Sequence, residues 1–233
     1  VLAVILAVLI GAELIVRNVA GNKVASAVAC EVEDSATVSF AVMPPMLWQY
    51  LSGDFPEISV RTAGNQVRSA KGMKVGIDIK DLRLSDTGES KGTIGALNGT
   101  ITWSSDGIKQ SVQDAIPVLG SFVTSKVTTN PSEGTIELKG MLDSVTVKPQ
   151  IANNGLSLQV VNLTALGSKM STDTVQENLD SLTSKATQNY PLGIHADTVK
   201  VTDAGLEATF STTNASIPAS SSPHNGQDCF SGF

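Results

Sequence analysis

The stretch GMKVGIDIKDLRL, Gly72–Leu84, decides the fold class. Val75, Ile77 and Ile79 alternate, so an extended strand turns all three to one face. The parity then shifts to Leu82 and Leu84, and a bulge near Lys80-Asp81 is expected to restore a single apolar face and bend the strand. The same alternation recurs on both sides. Val38, Phe40 and Val42 mark a strand within Ser35–Met43, and others are expected around Glu57–Thr62 and Gly92–Trp103. Further along, strands are expected near Gly134–Lys148, Gly155–Leu163, Ile194–Thr202 and Gly205–Ser211. GLSLQVVNLTAL, from Gly155, shares the Gly-led alternation of Gly72–Leu84 and is a weak sign of an internal repeat.

Helical patterns are fewer. Ala20, Val24, Ala27 and Val28 form one stripe between Arg17 and Val32. Pro44-Pro45 opens a short helix, MLWQYL, and Gly53 is placed to close it. Ser105-Asp106 begins a stripe of Ile108, Val112, Ala115, Ile116 and Leu119, which Pro117 kinks or ends. Asp173 to Gln176 resembles a capping box ahead of Val175, Leu179, Leu182 and Ala186, and Pro191 stops that helix. The expected fold is α+β: a long curved antiparallel sheet wrapped around a few helices. Such a sheet needs its apolar face filled by its own helices, by a partner, or by an apolar ligand. From the pattern alone the self-filled core is the stronger reading.

Composition narrows the function. The chain has 233 residues, 41% hydrophobic and only 16% charged, with formal net charge −6. The acidic balance speaks against nucleic acid, whose affinity rests on Lys and Arg at phosphates. Two His and two Cys leave little for a metal site. Phosphate loops, dinucleotide fingerprints, nucleophile elbows and paired-His zinc motifs are missing, so neither an enzyme nor a cofactor is expected. His195 and His224 read as surface residues.

Residues 1–16, VLAVILAVLIGAELIV, are apolar except Glu13. As a helix they span roughly 24 Å, slightly short of a bilayer core of roughly 30 Å. We expect a signal peptide or signal-anchor over 1–16, an α+β domain over 17–217, and a tail over 218–233. A buried core helix is the alternative for 1–16. In an exported chain Cys30 and Cys229 most simply form one disulfide that moors this tail; two separate buried thiols are the alternative.

MPPMLWQYLSGDF, Met43–Phe55, concentrates Met, Trp, Tyr, Leu and Phe in a chain that is 4% aromatic. Trp and Tyr favour sites with one wet and one oily side, and Met adapts to irregular shapes. A lip that touches lipid is one reading, and a helix packed into the core is the other.

PPMLWQYLSGDFPEISV (Pro44–Val60), the junction from Trp103 to Val112, and YPLGIHADTVKVTDAGLEATF (Tyr190–Phe210) together resemble the LmeA-like phospholipid-binding proteins of actinobacteria. Within these lie Leu51-Ser52-Gly53-Asp54-Phe55 and Pro191-Leu192-Gly193, the latter followed by Val199, Val201, Gly205 and Leu206. Asp228-Cys229-Phe230 is similar to members with a late cysteine, while Met43-Pro44-Pro45-Met46 departs from the commoner Gly-Phe-Pro-Phe. The resemblance implies a cell-envelope or periplasmic protein, membrane-anchored or secreted, with a fold similar to tubular lipid-binding domains. It implies binding of anionic phospholipid of the phosphatidylinositol type and support of lipomannan elongation beside an envelope glycosyltransferase. The partners expected are phospholipid and a membrane surface.

The candidate lipid contacts are Met46, Leu47, Trp48, Leu51 and Phe55 at the entrance, and Ile116, Leu119 and Phe122 inside. Arg61 and Arg68 are candidate phosphate contacts, with solvent-facing charge as the alternative. The rival function is an envelope interaction domain that scaffolds an enzyme without binding lipid. It predicts a filled core, whereas the lipid-binding reading predicts a vacant apolar groove.

Overall fold

A computed structural model describes residues 2–115, 124–140, 143–165, 171–187, 191–218 and 229. The chain forms two compact units. The first comprises Val1–Ala63, Gly76–Gly99 and Thr212–Phe233, the second Gly64–Val75 and Thr100–Ser211. The elements in chain order are α1 (Leu2–Val32), β1 (Ala36–Phe40), α2 (Met46–Ser52), β2 (Asp54–Thr62), β3 (Gln66–Val67), β4 (Ala70–Lys71), β5 (Met73–Leu84), β6 (Ser90–Ser104), α3 (Ser105–Ala115), β7 (Lys126–Asn130), β8 (Thr135–Lys139), β9 (Asp143–Ala152), β10 (Gly155–Ala165), α4 (Thr172–Thr187), β11 (His195–Thr202) and β12 (Gly205–Pro218). The fold is α+β. One six-stranded sheet runs β1-β2-β5-β6-β12-β11 and is open at β1 and β11; a four-stranded sheet runs β10-β9-β8-β7.

In the first unit α1 is one unbroken helix that continues through residue 16. Val16, Ala20, Val24 and Val28 recur every fourth residue and press one stripe onto Phe40, Met46, Phe55, Ile58 and Val60. Each large apolar side chain so buried contributes about 1.5–3 kcal/mol. The parity change read in Gly72–Leu84 is real: Ile77, Ile79 and Leu82 all reach this core. Asp81 takes a left-handed φ of 52°. The register with β2 does not slip, however, because Ile79 faces Ile58 and Leu82 faces Phe55. The parity changes in both strands at the same level, beside Pro56, which has no N–H for the ladder.

In the second unit the expected strand Gly134–Lys148 is two strands, β8 and β9, since Lys139 pairs with Ser144. β7, an edge strand of KVTTN, carries one apolar side chain and left no readable alternation. Asn153 and Asn154, at φ 51° and 63°, make the two-residue turn between β9 and β10. Alternate residues Ile136, Leu138, Val145, Val147, Leu156 and Leu158 form the apolar face of this sheet, packed with Trp103, Ile108, Val112, Leu179 and Leu206. Gly72–Leu84 lies inside the six-stranded sheet, whereas β10 is an edge of the other, so the likeness between them does not carry into equivalent places.

The capping box is corrected. The hydroxyl of Ser171, not Asp173, accepts the N–H of Thr174 at 3.2 Å and opens α4. Gln176 instead turns to β10.

Candidate lipid-binding site

The aromatic stretch folds as the turn Val42–Pro45 followed by α2. Pro45 stands at its N-cap, and Gly53, at φ 72°, closes it with an N–H donated to the Gln49 carbonyl. The start of α2 is held from outside the stretch. Glu13 of α1 accepts the N–H of Met46 at 2.7 Å and of Leu47 at 3.0 Å. Arg17, one turn on, donates to Glu13 at 3.0 Å and to the carbonyls of Phe40 and Ala41. Burial works against the Glu13 charge, but the two backbone N–H groups and Arg17 outweigh it and hold its carboxyl below the usual glutamate range. Gln49 is fully buried and donates to the carbonyls of Ala41 and Pro44, tying α2 back onto the turn.

These restraints split the five expected entrance residues. Met46, 1% exposed, and Phe55, whose ring lies 6.1 Å from that of Phe40, belong to the core. Leu47 is half-buried. Trp48 and Leu51 stand out at 66% and 79% exposed. Val42, Met43, Tyr50 and Leu84 are also exposed, as are Val8, Leu9, Ile10, Leu14, Ile15 and Val19 of α1. Val8 to Ile15 lie in the run read as a signal-anchor, and Met43 and Tyr50 in the stretch read as a lip; the sequence reading did not join the two.

Arg61 is engaged: its guanidinium meets both carboxylate oxygens of Asp78 at 2.7 and 2.9 Å and donates to the carbonyls of Val60 and Ile77. Ser59 donates to the same carboxylate at 2.6 Å, and this hydrogen bond leads in holding the Asp78 carboxyl below its usual range. Arg68, at φ 51°, is half-buried in the turn between β3 and β4. Ile116, Leu119 and Phe122 lie outside the described residues, as does His224. His195 is exposed, 3.3 Å from Asp197. Cys30 and Cys229 form a disulfide with Cα atoms 5.7 Å apart.

The second unit holds an apolar cavity between α3, α4 and the four-stranded sheet. Trp103, Ile108, Val112, Ile136, Leu138, Val147, Leu158, Leu179 and Leu206 line about 10 Å³ of space. The Trp103 ring nitrogen is satisfied by the Lys71 carbonyl at 2.8 Å, so it brings no unmet polarity. That volume is about one water-sized probe. Among the described residues the space is narrow, because Leu138, Val147 and Leu158 from the sheet meet Ile108, Val112 and Leu179 from the helices. Over this cavity α4 is fastened by Gln176. Its side-chain amide accepts the N–H of Val160 at 2.8 Å and donates to the carbonyl of Leu158 at 2.9 Å, acting as a one-residue strand on the free edge of β10.

The family model for LmeA-like phospholipid-binding proteins matches residues 9–211. The chain belongs to that family. It is similar to uncharacterized proteins of Mycobacterium tuberculosis (Rv0479c) and Mycobacterium bovis (Mb0489c), each 56% identical over 218 residues, covering 94% of this chain. The chain spans 63% of the length of these relatives. No solved structure matches. Among the described residues, no helix is long and apolar enough to cross a membrane.

Proposed function

We propose that this protein is an extracytoplasmic phospholipid-binding protein of the cell envelope that takes acyl chains into the apolar interior beneath α3 and α4. The carrying observation is that this interior is lined by apolar side chains alone, in a chain of a phospholipid-binding family. An oxidising compartment is supported by the Cys30–Cys229 disulfide.

Entry requires the helices to part from the sheet. Separating Ile108, Val112 and Leu179 from the sheet costs about 1.5–3 kcal/mol for each side chain. Burying ten CH₂ groups returns about 8 kcal/mol, so acyl chains can hold the interior open without elaborate polar recognition. An anionic head group of the phosphatidylinositol type, and support of lipoglycan elongation beside an envelope glycosyltransferase, follow from the family resemblance and belong to the same proposal. Neither Arg61 nor Arg68 is assigned to the phosphate.

Native mass spectrometry after mild purification, with uptake from anionic vesicles, tests this reading. Bound phospholipid is expected, and Leu158→Trp, which fills the interior, should lower uptake. Protein that carries no lipid and acquires none would overturn the reading. The closed interior favours a second one, an envelope interaction domain without lipid cargo. In that case Trp48→Ser with Leu51→Ser disturbs partner capture while neither protein takes up lipid.

A further inference from the structure

We propose that the first unit docks on a phospholipid bilayer through one apolar surface, formed by Val8, Leu9 and Ile10 of α1, the Val42-Met43 turn and the outer face of α2, with Glu13 marking the depth of immersion. This goes beyond the cavity reading and does not depend on it.

The kind of occupant follows from the exposure around α1. Val8, Leu9 and Ile10 are consecutive, about 100° apart on the helix, yet each is more than half exposed. A protein partner covers one face of a helix, whereas a surrounding hydrocarbon covers its whole circumference. From Asn18 onward polar residues enter the outer side, with Asn18, Asn22 and Lys23 exposed beside Val19. The change from all-apolar to two-faced therefore falls within about one turn of Glu13.

The second element sits at the same level because Glu13 itself holds the start of α2. Val42, 77% exposed, Trp48 and Leu51 stand there without apolar cover. Trp and Tyr concentrate at the water–lipid boundary, and α2 carries one of each, both exposed.

Charge complementarity points the same way. Residues 2–12 and 35–53 contain no Asp, Glu, Lys or Arg. Of the four charges on α1, the two nearest this surface, Glu13 and Arg17, are paired at 3.0 Å and satisfied by backbone groups, while Lys23 and Glu31 lie further along the helix. The surface thus matches an uncharged medium, and offers no counter-charge to a charged protein face or to lipid head groups.

The test uses the full chain, purified in mild detergent and mixed with phosphatidylcholine vesicles or with vesicles also containing phosphatidylglycerol. Flotation is expected with both, unchanged between low and high salt, since hydrocarbon insertion is not screened. Val42→Glu with Leu51→Glu should weaken vesicle partitioning by about tenfold or more; both side chains are exposed, so the far-ultraviolet circular dichroism stays that of the native protein. Lipids brominated near the head group should quench fluorescence in the native protein and not in Trp48→Phe, because Trp103 is sealed in the second unit.

Failure to float, flotation that needs anionic lipid and vanishes in salt, or an unquenched Trp48 overturns the proposal. Self-association that buries Trp48 without lipid overturns it in favour of a second copy. Lipid uptake without flotation sinks only the docking proposal; flotation without uptake sinks only the cavity reading.

Discussion

The carboxylate of Glu13 accepts the backbone N–H of Met46 at 2.7 Å, across 33 residues of sequence. One carboxylate, next to the apolar first turns of α1, therefore sets where α2 begins. Glu13→Gln keeps the size but loses the charge that strengthens these hydrogen bonds. It should cost about 1 kcal/mol of stability and speed hydrogen exchange at the Met46 and Leu47 amides. Unchanged exchange at both would show that α2 is held by packing alone.

The pH dependence follows from the same carboxylate and from Asp78. Both have folded-state pKa values below their unfolded ones. Their stabilisation is present above the unfolded carboxylate range, about 4, and is lost as pH falls through the folded values. Urea midpoints should stay level from pH 7 to 5 and drop below about pH 4. The drop should be shallower in the double variant Glu13→Gln, Asp78→Asn.

Gln176 fastens α4 to β10 through Val160 and Leu158. Gln176→Leu leaves that N–H and carbonyl without the amide and should cost about 1–3 kcal/mol. Hydrogen exchange in α4 should quicken, and if lipid enters beneath α4, the uptake rate should rise. A slower uptake in this variant would place the entry elsewhere.

The Cys30–Cys229 disulfide joins residues 199 apart. Replacing both by Ser should lower unfolding free energy by about 2–4 kcal/mol. Titrating urea with and without reductant separates the effects: the native protein should respond to reductant and the double variant should not.

Gly205, at φ 147°, lies so close to the Trp103 backbone that an added Cβ would overlap its carbonyl oxygen. The obstacle is backbone, which cannot swing aside like a side chain. Gly205→Ala should cost about 3 kcal/mol or more, read as a lowered melting temperature. Gly134→Ala, where a Cβ meets nothing within 4 Å but φ is 66°, supplies the comparison for strain without a clash.

What could be read beforehand was local. Alternation in Gly72–Leu84 and after Gly155 found long strands, and the i, i+4 stripe found the inward face of α1. Pro45 and Gly53 bracketed α2, because turn and cap chemistry depends on neighbouring residues only. β7 escaped because one apolar residue makes no alternation. β8 and β9 merged because both are rich in alternating apolar residues and the reversal between them is short. Gln176 was misread because a side-chain amide can satisfy a helix end or a strand edge, and sequence spacing is the same for both.

The sequence by itself determined an antiparallel, strand-rich α+β chain with a run of apolar residues at its start and one pair of cysteines. Only the tertiary structure decided that Met46 and Phe55 are core while Trp48 and Leu51 face outward, since on a short helix apolar nearly all round the side that packs is chosen by what lies opposite. The same holds for the apolar interior of the second unit. Whether facing Leu, Ile and Val residues leave a hollow or close it depends on distances between elements far apart in sequence, and among the described residues α3 and α4 sit near enough to the sheet to leave about 10 Å³ between them.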